Sequence, residues 1–395
     1  MKSSFRFTRI LLAVAALAAS LAMAVPAWAD AKVYEEALQS TTWVLTKTSG
    51  KTSSGTGVLV DLEKRLVVTN FHVVGEARTA IIFFPAVENG KPIVARKHYV
   101  DNLKTLGIRG KVLGVDRKRD LALIQLDKLP EKGVKAITLA ADSAKPGEDV
   151  ESVGNPGSSD ALWVYTSGKV RSVYRKQFRT GAGDHDFMVV ETTSPINTGD
   201  SGGPVVNAAG ELIAISQAIS PSARLVSYMV DVSEIKLFLT GPWKPAPLPV
   251  TDVLTAAELE YSQHTTGNYE IQFEQEDKSK QPVFITKDIE YYEKADTRKI
   301  WSLAATLKQA PKLEVAIKLL DQSGRTKLGN WSIEQTQTGE FLVIYLAKID
   351  ATASPDAVRS TMEYVAKLTA IMKKELTAKD GKATVTADSL DEWLK

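Results

Sequence analysis

Pro242, Pro245, Pro247 and Pro249 fall within the nine residues from Gly241 to Pro249. Proline locks φ near −65° and offers no backbone N–H, so neither a helix nor a sheet ladder runs through such a stretch. The chain on either side must therefore bury its own apolar surface. The length of 395 residues agrees, because it exceeds the roughly 100–200 residues of one ordinary domain.

The patterns differ across this divide. From Val33 to Leu239, short β-branched and aliphatic runs are broken by Gly, Asn and Asp, as in Thr56–Val60, Leu66–Val68, Ala80–Phe84, Leu121–Ile124 and Leu212–Ile215. Short strands at that spacing predict an all-β barrel or sandwich. Beyond the prolines, Tyr269, Ile271 and Phe273 alternate with polar residues, as do Trp301, Leu303 and Ala305, and a hairpin is expected around Thr338-Gly339-Glu340. Leu313–Leu320 has helical spacing, and Val358, Met362, Val365, Leu368 and Met372 share one face of a helix that starts at Ser354-Pro355. This second half is read as an α+β module.

At the N-terminus, Lys2, Arg6 and Arg9 precede an apolar run from Ile10 to Val25, and Ala27-Trp28-Ala29 offers a small-residue cleavage site. The run is shorter than the roughly 20 residues a spanning helix needs and ends at Pro26, so residues 1–29 are expected to be a secretory signal peptide. Cleavage before Asp30 would remove three positive charges and take the formal net charge from +2 to −1. The organisation expected is therefore a signal peptide at 1–29, a β-rich domain at 30–240, a Pro-rich linker at 241–252, an α+β module at 253–377 and a flexible tail at 378–395. The mature chain is expected in the periplasm or outside the cell, with no stable membrane insertion.

Composition removes several kinds of chemistry. With 49 basic against 47 acidic side chains there is no electrostatic footprint for nucleic acid. The absence of cysteine excludes disulfides, thiol catalysis and thiolate metal sites, and the four scattered histidines suggest no metal centre. No cofactor is expected.

Three motifs in the β-rich half carry chemistry. In Asn197-Thr198-Gly199-Asp200-Ser201-Gly202-Gly203-Pro204 a serine is flanked by glycines. A tight glycine loop aims a hydroxyl outward while neighbouring N–H groups converge where an oxyanion would form. Serine needs a base, and Thr69-Asn70-Phe71-His72-Val73-Val74 places His72 at a strand end. The base needs an orienting carboxylate, and Asp120 stands immediately before the strand Leu121-Ala122-Leu123-Ile124, where it would be held against the core. Asp116, in the charged turn Asp116-Arg117-Lys118-Arg119, is the lesser candidate, and the Arg-Lys-Arg run reads as a solvated loop. His98, His185 and His264 have no neighbouring ligands in the sequence and read as surface residues.

In this order, and with Gly154-Asn155-Pro156-Gly157 between them, the motifs resemble those of the trypsin-like serine proteases, and more closely the cysteine-free HtrA/Deg-type bacterial branch, over about residues 35–240. The resemblance implies two six-stranded β-barrels, with His72 and Asp120 on the first and Ser201 on the second. It implies that His72 is general base and then acid, that Asp120 orients it, that Ser201 attacks, and that the N–H groups of Gly199 and Ser201 form the oxyanion hole. Pro195 and Ile196 become the expected substrate-binding positions. Pro195 stands where members that cut after Lys or Arg have aspartate, which implies cleavage after a small or medium apolar residue. Asp200 resembles the residue that pairs with a newly cut N-terminus in animal digestive proteases, but Asp30-Ala31-Lys32-Val33 is no such N-terminus.

The segment from Pro85 to Thr105, with Lys91, Arg96, Lys97 and His98, is longer than compact bacterial members need and reads as a surface insertion. PDZ-type features are missing after the linker. Instead Pro311–Leu320, Asn330–Ile333 and Phe341–Tyr345 resemble YbjN-like and type III secretion chaperone-like modules, which implies pairing with a second copy or a protein partner. Two function classes follow: a serine endopeptidase acting on polypeptides, unfolded proteins among them, and a non-hydrolytic peptide-binding or chaperone-like protein on the same scaffold.

Overall fold

In Ile108–Asp116 buried and exposed residues alternate, as a strand with one inward face requires, whereas Leu66–Thr69 and most of Leu121–Leu126 are buried on both faces. The first pattern belongs to a barrel wall open to solvent, the second to a wall covered from outside. The computed structural model describes residues 26–48, 51–219, 226–292 and 295–378. The expected signal peptide lies outside these up to residue 25, as does the expected tail from residue 379. The chain divides into two compact units, Met1–Ala246 and Pro247–Lys395.

In the first unit, helix α1 (Pro26–Leu38) precedes β1 (Thr41–Thr48), β2 (Lys51–Asp61), β3 (Leu66–Thr69), the single turn α2 (Phe71–Val74) and β4 (Thr79–Phe83). A small hairpin, β5 (Val87–Glu88) and β6 (Lys91–Pro92), and helices α3 (Arg96–Asp101) and α4 (Leu103–Leu106) lead to β7 (Ile108–Asp116) and β8 (Leu121–Leu126). Among the described residues, β1-β2-β3-β8-β7-β4 close into one antiparallel barrel.

The second barrel uses β9 (Asp149–Gly154), β10 (Val164–Thr180), β11 (Gly183–Thr192), β12 (Pro204–Val206), β13 (Leu212–Ile219) and β14 (Ser227–Asp231), closed in the order β10-β11-β14-β13-β12-β9. Helix α5 (Val232–Leu239) follows it, capped by the Asp231 carboxylate on the Ser233 N–H. Each barrel is filled from within, the first by Val44, Leu59, Val67, Ile82 and Ile124, the second by Val150, Val190, Val205, Ile213 and Met229. Burying each of these side chains contributes roughly 1.5–3 kcal/mol. Truncating one, such as Ile124→Ala, would cost about 2–5 kcal/mol through the cavity it leaves.

Three expectations change here, on the insertion, the Arg-Lys-Arg turn and His185. The insertion is more than a surface loop: Tyr99 is fully buried, its hydroxyl donates to the Ile93 carbonyl at 2.7 Å, and it accepts from Trp163 Nε1 at 3.1 Å. Its ring packs edge-on against Trp43, Phe83 and Trp163, so the insertion shares the core of the strands it leaves. The Arg-Lys-Arg turn is likewise no free loop. Its Arg117 and Lys118 carbonyls accept from His185 Nδ1 and the Asp186 N–H, at 3.1 and 3.0 Å. Arg119 reaches the buried Glu234 at 2.6 Å. His185 is therefore a buried strut between the barrels, with Nε2 at 2.7 Å from Thr180 Oγ1.

Within the proline-rich segment, Trp243 donates from Nε1 to the Phe238 carbonyl at 2.8 Å, and the Lys244 carbonyl accepts from Val115 at 2.9 Å.

The second unit is α+β. Helix α6 (Val250–Ala256) precedes β15 (Ser262–Gln263), β16 (Tyr269–Glu274), β17 (Lys280–Ile285), β18 (Glu290–Tyr292) and β19 (Ala295–Leu307), then α7 (Leu313–Arg325), β20 (Asn330–Gln335), β21 (Phe341–Asp350) and α8 (Pro355–Ala378). Its sheet runs β15-β16-β17-β19-β21-β20, with β18 beside β19. The five expected apolar positions of α8 are all buried, and the Ser354 hydroxyl accepts from the Ala357 N–H at 3.2 Å as its cap. On β19 the buried face is Arg298, Ile300, Ser302 and Ala304, not the expected Trp301, Leu303 and Ala305. Trp301 is accommodated on the other face by stacking on Phe284 at 4.3 Å. No described helix is long and apolar enough to cross a membrane.

Candidate active site

His72 sits in α2, directly after buried β3, and Asp120 closes the turn that leads into β8. Strands β3 and β8 are hydrogen-bonded neighbours, with Thr69 opposite Ala122, so two motifs 48 residues apart arrive at the same end of the barrel. Asp120 has φ of +53°, a left-handed conformation uncommon for a side-chain-bearing residue, and its carbonyl is fixed by Asn70 Nδ2 at 2.8 Å and the Phe71 N–H at 3.1 Å.

This strained backbone turns the carboxylate onto His72. Oδ1 accepts the His72 backbone N–H at 2.9 Å and Oδ2 lies 2.7 Å from Nδ1. The carboxylate is fully buried while the imidazole remains 30% exposed, so the ring is gripped at Nδ1 and still open to solvent elsewhere. Burial by itself would lower the His72 pKa, but the charge of Asp120 and its hydrogen bond outweigh that, and the pKa is raised above 6.5. Asp116 pairs with Arg119 at 2.7 Å instead.

Ser201 comes from the second barrel, on the turn before β12. Gly199 and Gly202 have φ of +105° and +87°. A Cβ at Gly202 would lie 2.0 Å from the Thr56 carbonyl oxygen, and one at Gly199 would lie 2.5 Å from that of Asn155. Both positions thus require glycine for conformation and for space. The turn is pinned to the first barrel: the Thr56 N–H donates to the Ser201 carbonyl and Thr56 Oγ1 donates to the Gly199 carbonyl, each at 2.8 Å. Thr56 Oγ1 in turn accepts from the Asn155 N–H at 3.0 Å. Among the described residues, the Gly199 and Ser201 N–H groups have no protein acceptor. Ser201 Oγ donates to the Gln217 carbonyl at 3.2 Å, and no hydrogen bond joins it to His72.

Asp200 points the other way, into the protein. It accepts the Asn197 N–H at 2.7 Å, and burial pushes its pKa up to about 6 against the opposing effects of that bond and of the Arg96 charge. Ile196 is packed inside the second barrel's core, while Pro195 is exposed.

The motifs therefore bring His72, Asp120, Gly199 and Ser201 to one region. They leave out Thr56 and Gln217, whose side chains reach Gly199 and Asp120. Thr56 was legible only as the start of the strand run Thr56–Val60, and Gln217 lies in no named motif. Asn155 had a signal, its Gly-Asn-Pro-Gly setting, but its task of bridging Thr42, Thr56 and Trp163 was not legible. Among the described residues, no cluster of His, Asp and Glu could hold a metal ion.

Residues 55–215 match the family model described as trypsin-like peptidase domain. Serine protease HTRA1B of Danio rerio is 33% identical over 189 residues, 47% of this chain and 34% of that protein. Periplasmic serine endoprotease DegP of Salmonella typhimurium is 34% identical over 167 residues, 42% of this chain and 30% of its own length. HhoB of Synechocystis sp. is 26% identical over 220 residues, 54% of this chain and 47% of that protein. This chain thus spans less than half the length of each of these relatives. Among solved structures, the active form of the Rv3671c protease from M. tuberculosis is 21% identical, with a TM-score of 0.45 over 56% of this chain and 89% of that one. Residues 55–215 of this chain thus match a trypsin-like peptidase domain, and the β-rich part of the chain is similar in sequence to HtrA- and DegP-type serine proteases.

Proposed function

We propose that the chain is a periplasmic or secreted serine endopeptidase that hydrolyses polypeptides, unfolded proteins among them, in protein quality control. The observation that carries this reading is the double grip of one buried carboxylate on His72, through the backbone N–H at 2.9 Å and through Nδ1 at 2.7 Å. A scaffold used only for binding has no physical need to fix the tautomer of an imidazole.

In the mechanism that follows, Asp120 holds the proton on Nδ1 and leaves Nε2 free as base. Ser201 Oγ rotates away from the Gln217 carbonyl, gives its proton to Nε2 and bonds to the scissile carbonyl carbon. The oxygen that gains the negative charge is met by the unused N–H groups of Gly199 and Ser201. His72 then protonates the leaving amine, and the acyl group on Ser201 passes to water by the reverse roles. The exposed Pro195 offers no charge for Lys or Arg, which favours bonds after small or medium apolar residues. The second unit, with its resemblance to YbjN-like modules, would select a substrate or partner or form a homo-oligomer.

The non-hydrolytic peptide-binding reading has one observation in its favour, the Ser201 hydroxyl engaged with Gln217 and not with His72. Casein hydrolysis and labelling by a serine-directed organophosphorus probe, each against Ser201→Ala, decide between the two. Cleavage and labelling lost in Ser201→Ala support the enzyme. A wild-type protein that neither cleaves nor labels overturns it.

A further inference from the structure

The insertion between the fourth and seventh strands is linked to the turn that carries Ser201 through the loop after Gly154. An isolated bridge pairs Ala95 with Ala161, the Leu162 N–H donates to Val94 at 2.8 Å, and Trp163 Nε1 donates to Ile93 at 3.1 Å. The loop following Gly154 is thereby zipped to the insertion. Within this seam Arg96 lies with its guanidinium 5.2 Å from the Trp43 ring centre. Nη2 donates to the carbonyls of Asn155 and Pro156 at 2.9 and 2.6 Å, and Nε donates to that of Ser159 at 3.0 Å.

The next contact leads to the site. The Gly157 N–H, one residue beyond Pro156, donates to the Thr198 carbonyl at 2.7 Å, and the other face of that peptide leads into Gly199. Gly199 is packed so closely on this loop that a Cβ there would lie 2.7 Å from Gly157 N. The guanidinium makes no ion pair within 4.0 Å among the described residues, yet its charge acts on the carboxylates of Asp160 and, more weakly, of the buried Asp200 between Gly199 and Ser201. A planar fork is suited to bind several carbonyls at fixed angles, which a flexible ammonium does not do.

We propose that Arg96 is a positioning residue for the oxyanion-binding turn, gathering the 155–159 carbonyls so that Gly157 holds Thr198 and sets the direction of the Gly199 N–H. The assignment rests on the endopeptidase reading for its catalytic consequence, while the clamp itself does not. The insertion thus supports the site through the Arg96 bond to Asn155, a residue 59 positions along the chain.

The test reads the clamp without activity. In the full chain carrying Ser201→Ala, amide hydrogen exchange of segments 155–159 and 197–203 is compared with and without Arg96→Ala. Exchange in both segments about tenfold or more faster, with the barrel strands unchanged, supports the clamp. Exchange within about twofold of the parent overturns it, and so does an equal acceleration across the whole unit, which would make Arg96 a general stability residue. Arg96→Lys, which keeps the charge and loses the fork, carries the same comparison if Arg96→Ala does not fold, with faster exchange again expected. With Ser201 intact, Arg96→Ala should lower kcat for a peptide substrate by about 10- to 100-fold and change KM by less than about threefold. A loss confined to KM would overturn the catalytic part. A wild-type protein without hydrolysis would sink the endopeptidase reading and leave the exchange result to decide on the clamp.

Discussion

Gln217 Nε2 donates to Asp120 Oδ2 at 2.9 Å, the same oxygen that lies 2.7 Å from His72 Nδ1. A residue of the second barrel thereby helps to hold the carboxylate of the first, and its own carbonyl accepts from Ser201 Oγ at 3.2 Å. Gln217→Met removes one hydrogen bond from a buried charge, and kcat/KM should fall by about 3- to 30-fold. Gln217→Glu sets a second carboxylate against Asp120, so the pair would share a proton and the loss should exceed about 100-fold near neutral pH. Steady-state kinetics on one peptide substrate check both, and equal rates for the two variants would contradict this role.

The raised His72 pKa sets the acid limb of the pH profile. As a base His72 works only when neutral, so kcat/KM should rise with pH through a midpoint above 6.5. Asp120→Asn removes both causes of the increase, so the midpoint should fall below 6.5, with a loss of about 10⁴-fold in kcat. In stability the sign is opposite: the stabilisation from this pair is complete below the unfolded pKa and is lost as pH rises through the folded value. A midpoint unchanged by Asp120→Asn would remove the electrostatic argument.

Thr56 and Gly202 test how the serine turn is supported. Thr56→Val keeps the shape and deletes the hydroxyl that donates to Gly199 and accepts from Asn155. We expect a stability loss of about 1–3 kcal/mol from the unsatisfied buried groups, with a larger fractional loss in kcat than in KM. Gly202→Ala forces a Cβ to within 2.0 Å of the Thr56 oxygen at φ of +87°, and it should yield little folded protein. Denaturant unfolding and circular dichroism measure both.

Asp200, with its pKa pushed up to about 6, makes acid unfolding informative. A carboxyl whose folded pKa exceeds its unfolded value contributes stability when protonated, lost as pH rises from about 4 through about 6. The thermal midpoint of Asp200→Asn should therefore vary less over this range than that of the parent, both carrying Ser201→Ala to prevent self-cleavage. Parallel curves would show that Asp200 does not titrate in this range.

Arg119→Met leaves the buried Glu234 with the Met188 N–H at 2.9 Å and Arg175 at 3.5 Å. An incompletely paired buried carboxylate should cost about 2–4 kcal/mol, and Arg119→Met combined with Glu234→Gln should recover part of it. Guanidinium unfolding of the single and double variants measures the coupling. Purely additive losses would assign the Arg119–Glu234 pair no joint role.

The sequence by itself determined what depends on neighbours along the chain. Strand runs in a barrel wall, the α8 stripe with its Ser354 cap, and the glycines beside Ser201 each declare themselves within a few residues, because pleat, helix turn and positive φ are local requirements. Tertiary structure decided which groups surround the reacting atoms. Gln217 reaches Asp120 across 97 residues, Thr56 reaches Gly199 across 143, and Arg96 reaches Asn155 across 59. No periodicity relates such positions, so Arg96 read as part of a surface loop and His185 as a surface histidine, although the first is half-buried in a seam of carbonyls and the second is buried between the barrels. On β19 the same limit chose the wrong face: Trp301 looked like core, but the helix side of the sheet buries Ile300 and Ala304 while Trp301 finds Phe284 on the other. Burial belongs to the packed molecule, and a strand with apolar residues on both faces becomes inside or outside only when its neighbours close over one of them.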